Sequence, residues 1–319
     1  MDIATIAAAR DLLLAALPTH NLPAMVPLTD ACAIVTTAAD IATFAVTALL
    51  DGQASASNTA AAFKSSSIDF ATETDLSIER MAFDTIAARF PHHHRIGEES
   101  APSSTSAASG DTFFGPSAIT WVIDPVDGTT NYTHGFPFVC ISIAVVVAGE
   151  PLVGLVAAPF LRDGLYFAWL GLGMLHGSTW LVPLADRPTP PPTTIAQALI
   201  ATGYSYDRSH TALAAQHAAE TALAGDPDPC RGIRNIGCAV MAMTLVATGA
   251  LDAYFIHGLH IWDMAAAVVF LRQLGAVLYS TDGSAFDLCA RNCLVAATDD
   301  LAAAILPCLT PLDVPREIL

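Results

Sequence analysis

Three apolar, β-rich runs follow one another in the middle of the chain: TWVID at 120–124, FVCISIAVVVAG at 138–149 and PLVGLVAAP directly after. Gly149 and Glu150 stand where the second run reverses into the third, and runs of this kind pair as antiparallel neighbours. A sheet is therefore fixed at the centre of the sequence, and the rest of the chain has to cover it. Upstream, residues from Ile3 to about Leu50 are alanine-rich with apolar positions at helical spacing, interrupted by Pro18, Pro23 and Pro27. That predicts two helices joined by a proline-rich turn. The segment from Asp69 predicts a loop, and residues 77–90 a further amphipathic helix stopped by Pro91.

Downstream, VPLADRPTPPPTT at 182–194 can enter neither a helix nor a sheet interior and marks the clearest internal boundary. Helix-like and strand-like segments alternate beyond it, which favours a layered α/β half. The reading divides the chain into an N-terminal α+β half, 1–185, carrying most of the candidate ligands, and a C-terminal α/β half, 186–319. Together they form one catalytic unit. The polar stretch 101–117 reads as a mobile insertion that carries no chemistry.

With 319 residues, 53% of them hydrophobic, the chain can bury a large core. Its 30 acidic against 13 basic residues give a formal charge of −17, which works against nucleic acid as a partner. An anionic substrate would need local help, such as divalent cations held by some of those carboxylates. Seven scattered cysteines, with no basic region and cleavable apolar segment at the N-terminus, read as reduced thiols of a cytoplasmic protein. The apolar run 238–256 approaches membrane-spanning length, but Asp252 and Thr248-Gly249-Ala250 interrupt it. It reads as a buried helix followed by a buried strand, with no membrane partner.

The local signal with the most chemistry is WVIDPVDGTTNYTHG, 121–135. An apolar strand is expected to end at Asp124, with Asp127 three residues on and Gly128, Thr129 and Thr130 opening a helix whose amides face the same place. Asp-Pro-x-Asp-Gly can equally be a plain capped turn. Three further acidic segments favour a site: IGEES at 96–100, DFATETD at 69–75 and GLHIWD at 258–263. Of the adjacent Glu98 and Glu99, only one can face a common point, and Glu98 is chosen. His92-His93-His94 read as solvated or packing histidines, and Gly171-Leu172-Gly173 as a strand turn. Cys289 and Cys293 lack the second pair that a zinc site needs.

Five segments in this order resemble the inositol monophosphatase family: FKSSSIDFATETD (63–75), IGEES (96–100), WVIDPVDGTTNYTHGFPF (121–138), RNIGCAVMAMTLVATGALDAY (234–254) and HIWDMAAA (260–267). The resemblance implies an α/β (α+β) fold of the sugar phosphatase type, an alternating α-β-α-β-α layered sandwich. It also implies a magnesium-dependent, lithium-sensitive phosphomonoesterase, commonly a homodimer, acting on a small phosphorylated substrate. Glu98, Asp124 and the Val126 carbonyl would bind one magnesium, and Asp124, Asp127 and Asp263 a second, with a third, weaker ion near Glu98. Gly128 and Thr129 would donate to the phosphate, with Thr130 beside them. Asp75 and Thr129 would orient a water, and Glu98 counts with them as catalytic.

Asp127, Asp263, Gly237, Cys238 and Ala239 would also line the substrate pocket, and Lys64 would sit in a mobile loop within reach of the phosphate. Hard magnesium suits carboxylates plus one carbonyl, and two such ions about 4 Å apart would polarise a phosphate ester and lower the pKa of a water. Inositol-directed members carry an acid seven positions before the last metal aspartate; here that position is Ile256. Myo-inositol 1-phosphate is the first substrate expected, with sugar phosphates, histidinol phosphate and nucleotide phosphates as alternatives. A non-catalytic binding protein on the same fold is the alternative from another class.

Overall fold

The computed structural model describes residues 1–54, 62–66, 69–100 and 113–317, with the main chain alone for 62–66 and 69–71. Two helices open the chain, α1 (Ile3–Ala16) and α2 (Leu28–Ala54). A two-stranded hairpin, β1 (Ala62–Ser66) with β2 (Asp69–Ala71), leads into α3 (Glu73–Arg89). Helix α3 starts earlier than the sequence pattern predicts because Thr72 and Asp75 form a reciprocal capping box that satisfies the first-turn amides. Then come β3 (His94–Gly97), β4 (Ile119–Asp127), the short helix α4 (Thr129–His134), β5 (Cys140–Val147), β6 (Glu150–Ala157), β7 (Leu165–Trp169), β8 (Gly173–His176) and β9 (Thr179–Trp180).

Among the described residues β3 to β9 form one sheet in sequence order, antiparallel except for the parallel β3–β4 edge. The 101–117 insertion lies between β3 and β4, and its residues 101–112 lie outside the described residues.

Residues 181–198 carry the chain to a second sheet. It is built from β10 (Leu199–Thr202), β11 (Gly232–Asn235), β12 (Ala253–His257), β13 (Val277–Tyr279) and β14 (Asn292–Ala296) in the order β11-β10-β12-β14-β13. Its helices are α5 (His210–Ala224), α6 (Ala239–Ala247), α7 (Ala265–Leu274) and α8 (Asp299–Ile305). The apolar run at 238–256 is thus a helix followed by a strand, as its interruption predicts.

Strand alternation sorts the side chains into layers, because successive residues point to opposite faces. In β5, Ile141, Ile143 and Val145 pack with α1, α2 and α3, while Ala144 and Val146 face α6 and α7. In β12, Tyr254 and Ile256 join that same α6–α7 layer, whereas Ala253 and Phe255 face α5 and α8. The result is helix, sheet, helix, sheet, helix, the layered sandwich expected.

Helix α2 is long and apolar enough to cross a membrane by length and composition alone, which the sequence reading passed over. More than half of its most apolar stretch is buried inside the protein, with Ile34, Ile41, Val46 and Leu49 among the fully buried side chains. It works as a core helix of this fold. The histidine run behaves as packing: His93 stacks on Phe90 at 4.6 Å and accepts from the Trp121 indole at 3.1 Å, while His94 opens β3.

Candidate metal and phosphate site

Strand β4 does not stop at Asp124. Its pairing with β5 runs on to Asp127, and Asp124 opposes Ser142 while Asp127 opposes Cys140. Three residues on one strand therefore span two on the other, a bulge that tolerates the missing N–H of Pro125 and re-aims both aspartates. Asp124 accepts from the Val126 amide at 3.0 Å, which closes the bulge. Gly128 follows at φ +91°, in the left-handed region, and a Cβ there would stand 2.8 Å from the Phe138 carbonyl oxygen. Only glycine turns the chain there from the bulge into α4.

Helix α6 reaches across from the second half to hold Asp127. The Val240 amide donates to Oδ2 at 2.7 Å, the Ala239 amide to Oδ1 at 3.3 Å and the Cys238 thiol to Oδ2 at 3.1 Å. Asp263 lies two residues ahead of α7 and accepts from the His260 amide at 2.7 Å, a turn that fixes its carboxylate. One oxygen from each of Asp124, Asp127 and Asp263 lies within 4.8 Å of the others.

Burial holds all three above the usual carboxylate range. Asp124 and Asp263 are raised well above it, Asp124 further by the charges of Glu98, Asp127 and Asp263, and Asp263 by those of Asp127 and Glu98. Asp127 rises to about 6, because its three hydrogen bonds offset part of the burial effect. Glu98 lies near enough for its charge to act on all three, although its carboxylate is not among the oxygens within 4.8 Å of one another. Its own amide donates to the Ile123 carbonyl at 3.3 Å.

Among the described residues, no lysine, arginine or histidine pairs with Asp124, Asp127 or Asp263. Buried like charges without a cation are strongly unfavourable. All-oxygen carboxylate donors in this setting fit a hard divalent ion.

Asp75 joins from α3. Fully buried, it accepts at Oδ2 from the Thr72 amide at 3.1 Å and from the Thr72 hydroxyl, and its Oδ1 lies 3.3 Å from the Thr129 hydroxyl. That hydroxyl is also 3.0 Å from the Val126 carbonyl. A hydroxyl has one proton, so it serves one of these acceptors at a time, and Asp75, Thr129 and Val126 form a connected set.

A cavity of about 290 Å³ opens beside these groups, lined in part by Asp127, Asp263, Thr130, Gly237, Cys238 and Ala239. Gly128 and Thr129 do not line it; the Gly128 backbone backs onto Gly237 and Cys238 instead. The Lys64 main chain lies in β1, and its side chain lies outside the described residues. A larger cavity of about 790 Å³ lies along the proline-rich link near Arg187 and Arg231, away from every acid of the cluster. The chemistry points to the smaller one.

Two residues that sequence reasoning missed shape this site. Glu79, buried in α3, accepts from the Glu99 amide at 2.8 Å and so anchors the segment carrying Glu98. It stands four residues after Asp75, on the same helical face, and that spacing was the available signal. Asn131 donates to the carbonyls of Phe138 at 2.8 Å and Ile236 at 2.9 Å, tying α4 to the loop before α6. No local pattern announces a tether across 105 residues.

The layered fold and the buried acid cluster define a hydrolase of phosphate monoesters that works with metal ions, and comparison with known proteins agrees. Residues 29–310 match the inositol monophosphatase family, and the chain belongs to it. Inositol monophosphatase 1 of Rattus norvegicus is 35% identical over 255 residues, covering 80% of this chain and 86% of the relative.

Among solved structures, the extragenic suppressor protein suhB of Bartonella henselae superposes with a TM-score of 0.71 at 23% identity, covering 86% of this chain and 98% of its own. A staphylococcal IMPase-II solved with inositol monophosphate gives 0.66 at 24% identity, covering 86% and 94%, and the same enzyme has been solved with 2'AMP.

Proposed function

We propose that the protein hydrolyses a small phosphate monoester with two or three magnesium ions, and that myo-inositol 1-phosphate is its first substrate. The observation that carries this reading is the convergence of Asp124, Asp127 and Asp263, whose pKa values are each raised by burial and by the charge of Glu98. Glu98, Asp124 and the Val126 carbonyl would hold one ion, and Asp124, Asp127 and Asp263 the next. Magnesium bound there supplies the charge that polarises a phosphate ester and makes a water more acidic.

The chain's own groups supply the positioning. Asp75, held by Thr72, accepts a proton-bearing partner at Oδ1, and Thr129 bridges it to the Val126 carbonyl. Asp75 and Thr129 would orient a water there. The first turn of α4 leaves amides without intrahelical acceptors, and those of Gly128 and Thr129 suit phosphate oxygens. Fixing the groups beforehand is what the protein contributes to an in-line displacement.

The leaving group faces Ile256, His257 and Tyr204. Ile256 packs toward Gly203 and offers nothing to a hydroxyl. Tyr204 is engaged by His217 at 3.3 Å. His257 has a buried Nε2 with no partner among the described residues, and burial lowers its pKa to about 4, so it is neutral at pH 7. Strand alternation turns it to the face of β12 opposite Ile256, so it does not stand in for the acid that inositol-directed members carry there. The same apolar wall favours a second reading, a nucleotide phosphate, which the 2'AMP complex of the staphylococcal relative supports.

Lithium inhibition, a homodimer and a division at residues 185 and 186 into two halves of one catalytic unit belong to this proposal. So does a cytoplasmic location, which seven free thiols favour.

Phosphate release from a panel containing inositol 1-phosphate, histidinol phosphate, sugar phosphates and 2'-AMP, with and without magnesium, tests the reading. Magnesium-dependent turnover, fastest on inositol 1-phosphate, is expected. No turnover on any ester refutes the enzyme, and a preference for 2'-AMP refutes inositol 1-phosphate as the first substrate.

A further inference from the structure

Behind the acid cluster, Asp127 touches two thiols that phosphate hydrolysis does not use. The sulfurs of Cys140 and Cys238 lie 3.7 Å apart, and the Cys238 sulfur lies 3.1 Å from Asp127 Oδ2. One ligand atom from each of the three residues lies within 4.8 Å of the other two, and all three residues are buried. Each is pinned by main-chain structure. Cys140 opposes Asp127 directly across the β4–β5 ladder, just past the bulge. Cys238 caps α6, whose first amides grip the same carboxylate.

Zinc bonds of about 2.3 Å to sulfur, at tetrahedral angles, place two thiolates about 3.8 Å apart. The observed separation already matches that edge, whereas a disulfide would require closing to about 2.05 Å. Thiolates select soft ions, and magnesium prefers oxygen.

We propose that Cys140, Cys238 and Asp127 form a second cation site, specific for thiophilic divalent ions such as zinc or cadmium, which shares Asp127 with the magnesium cluster. The ion enters as M²⁺, the two thiols become bound thiolates, and two protons leave to solvent. The fourth position is open to water. Because one carboxylate serves both sites, a soft ion and the magnesium that uses Asp127 compete. That competition rests on the proposed function, but the soft-ion site itself does not.

The test is a titration of the metal-free, reduced, full-length protein with cadmium. It follows the thiolate-to-metal absorption in the near ultraviolet together with proton release to an indicator dye. One cadmium per chain, two protons and a two-thiolate band are expected. Cys140→Ala is expected to weaken cadmium binding at least about tenfold, about 1.4 kcal/mol, and to halve the proton count. Magnesium-dependent turnover of that variant stays at the wild-type level, and its inhibition by zinc is relieved.

A wild-type protein without a saturating two-thiolate band overturns the site. So does a band, or a zinc inhibition, that survives Cys140→Ala unchanged and must come from another cysteine. Cys140→Ser stands in if the alanine variant fails to fold. A protein with no turnover on any ester would refute the phosphatase reading while the cadmium titration still decides this one.

Discussion

Replacing Asp127 by asparagine is expected to stabilise the metal-free protein while removing most of its response to magnesium. The wild-type carboxylate is 7% exposed, and burial raises its pKa from 3.8 to about 6. At 1.36 kcal/mol per pKa unit, keeping it ionised costs the native state at most about 3 kcal/mol. Asparagine removes that charge and keeps one acceptor oxygen, but its amide group meets one of the three donors from Cys238, Ala239 and Val240. That mismatch gives back about 1 kcal/mol.

A net gain of about 1–2 kcal/mol raises the melting temperature by about 1.5–3 °C for a chain of this size. The pH dependence follows from the raised native pKa. Between about pH 4 and pH 6 the native state keeps a proton that the unfolded chain has released, so this group's contribution falls as pH rises through that window. The variant is expected to lose that slope. Magnesium at about 100 times its dissociation constant adds about 2.7 kcal/mol to the wild type. It adds little to the variant, so the order of stability reverses when the ion is added. Thermal melts at pH 5 and pH 8, with chelator and with magnesium, measure every quantity. A metal-free variant that melts below the metal-free wild type, with an undiminished magnesium shift, refutes the idea that Asp127 is held ready for a cation.

Two further substitutions probe the same site. Asp124→Asn removes the ligand that the proposal shares between two ions; turnover is expected to fall by more than about 100-fold, beyond the usual effect of residues that only orient a ligand, and near-normal turnover sinks the metal assignment. Asn131→Ala breaks the bonds to the Phe138 and Ile236 carbonyls, with an expected loss of about 1–3 kcal/mol in stability and a rise in KM larger than any fall in kcat. Denaturant melts and steady-state kinetics with the best panel substrate check both, and unchanged values for Asn131→Ala remove its tethering role.

Much of this architecture was legible in the sequence because it follows from local periodicity. The proline-broken helices at the N-terminus, the hairpin at Gly149 and the helix-to-strand passage at 238–256 each carry their own pattern. The start of α3 at Glu73 was written in the Thr72–Asp75 spacing, although aspartate in place of the usual glutamate disguised the capping box.

What stayed hidden is non-local. Strand β4 continues through Pro125 because β5 supplies a partner on the far side of a bulge, and propensity alone ends the strand at Asp124. The helix end that clasps Asp127 lies 113 residues away from it. Likewise, Cys140 and Cys238 are 98 residues apart, and nothing near either one signals the other.

That clasp has a consequence for how the molecule moves. Asp127 is carried by the first sheet but is steadied by a helix that lies between two strands of the second, so this side chain spans the seam between the two portions of the polypeptide. A displacement of one portion against the other would pull on the bonds from Cys238, Ala239 and Val240 that hold this carboxylate. With the cation proposed for this cluster in place, its affinity would report how well the seam is closed, and ion binding would act in turn as a rivet across it.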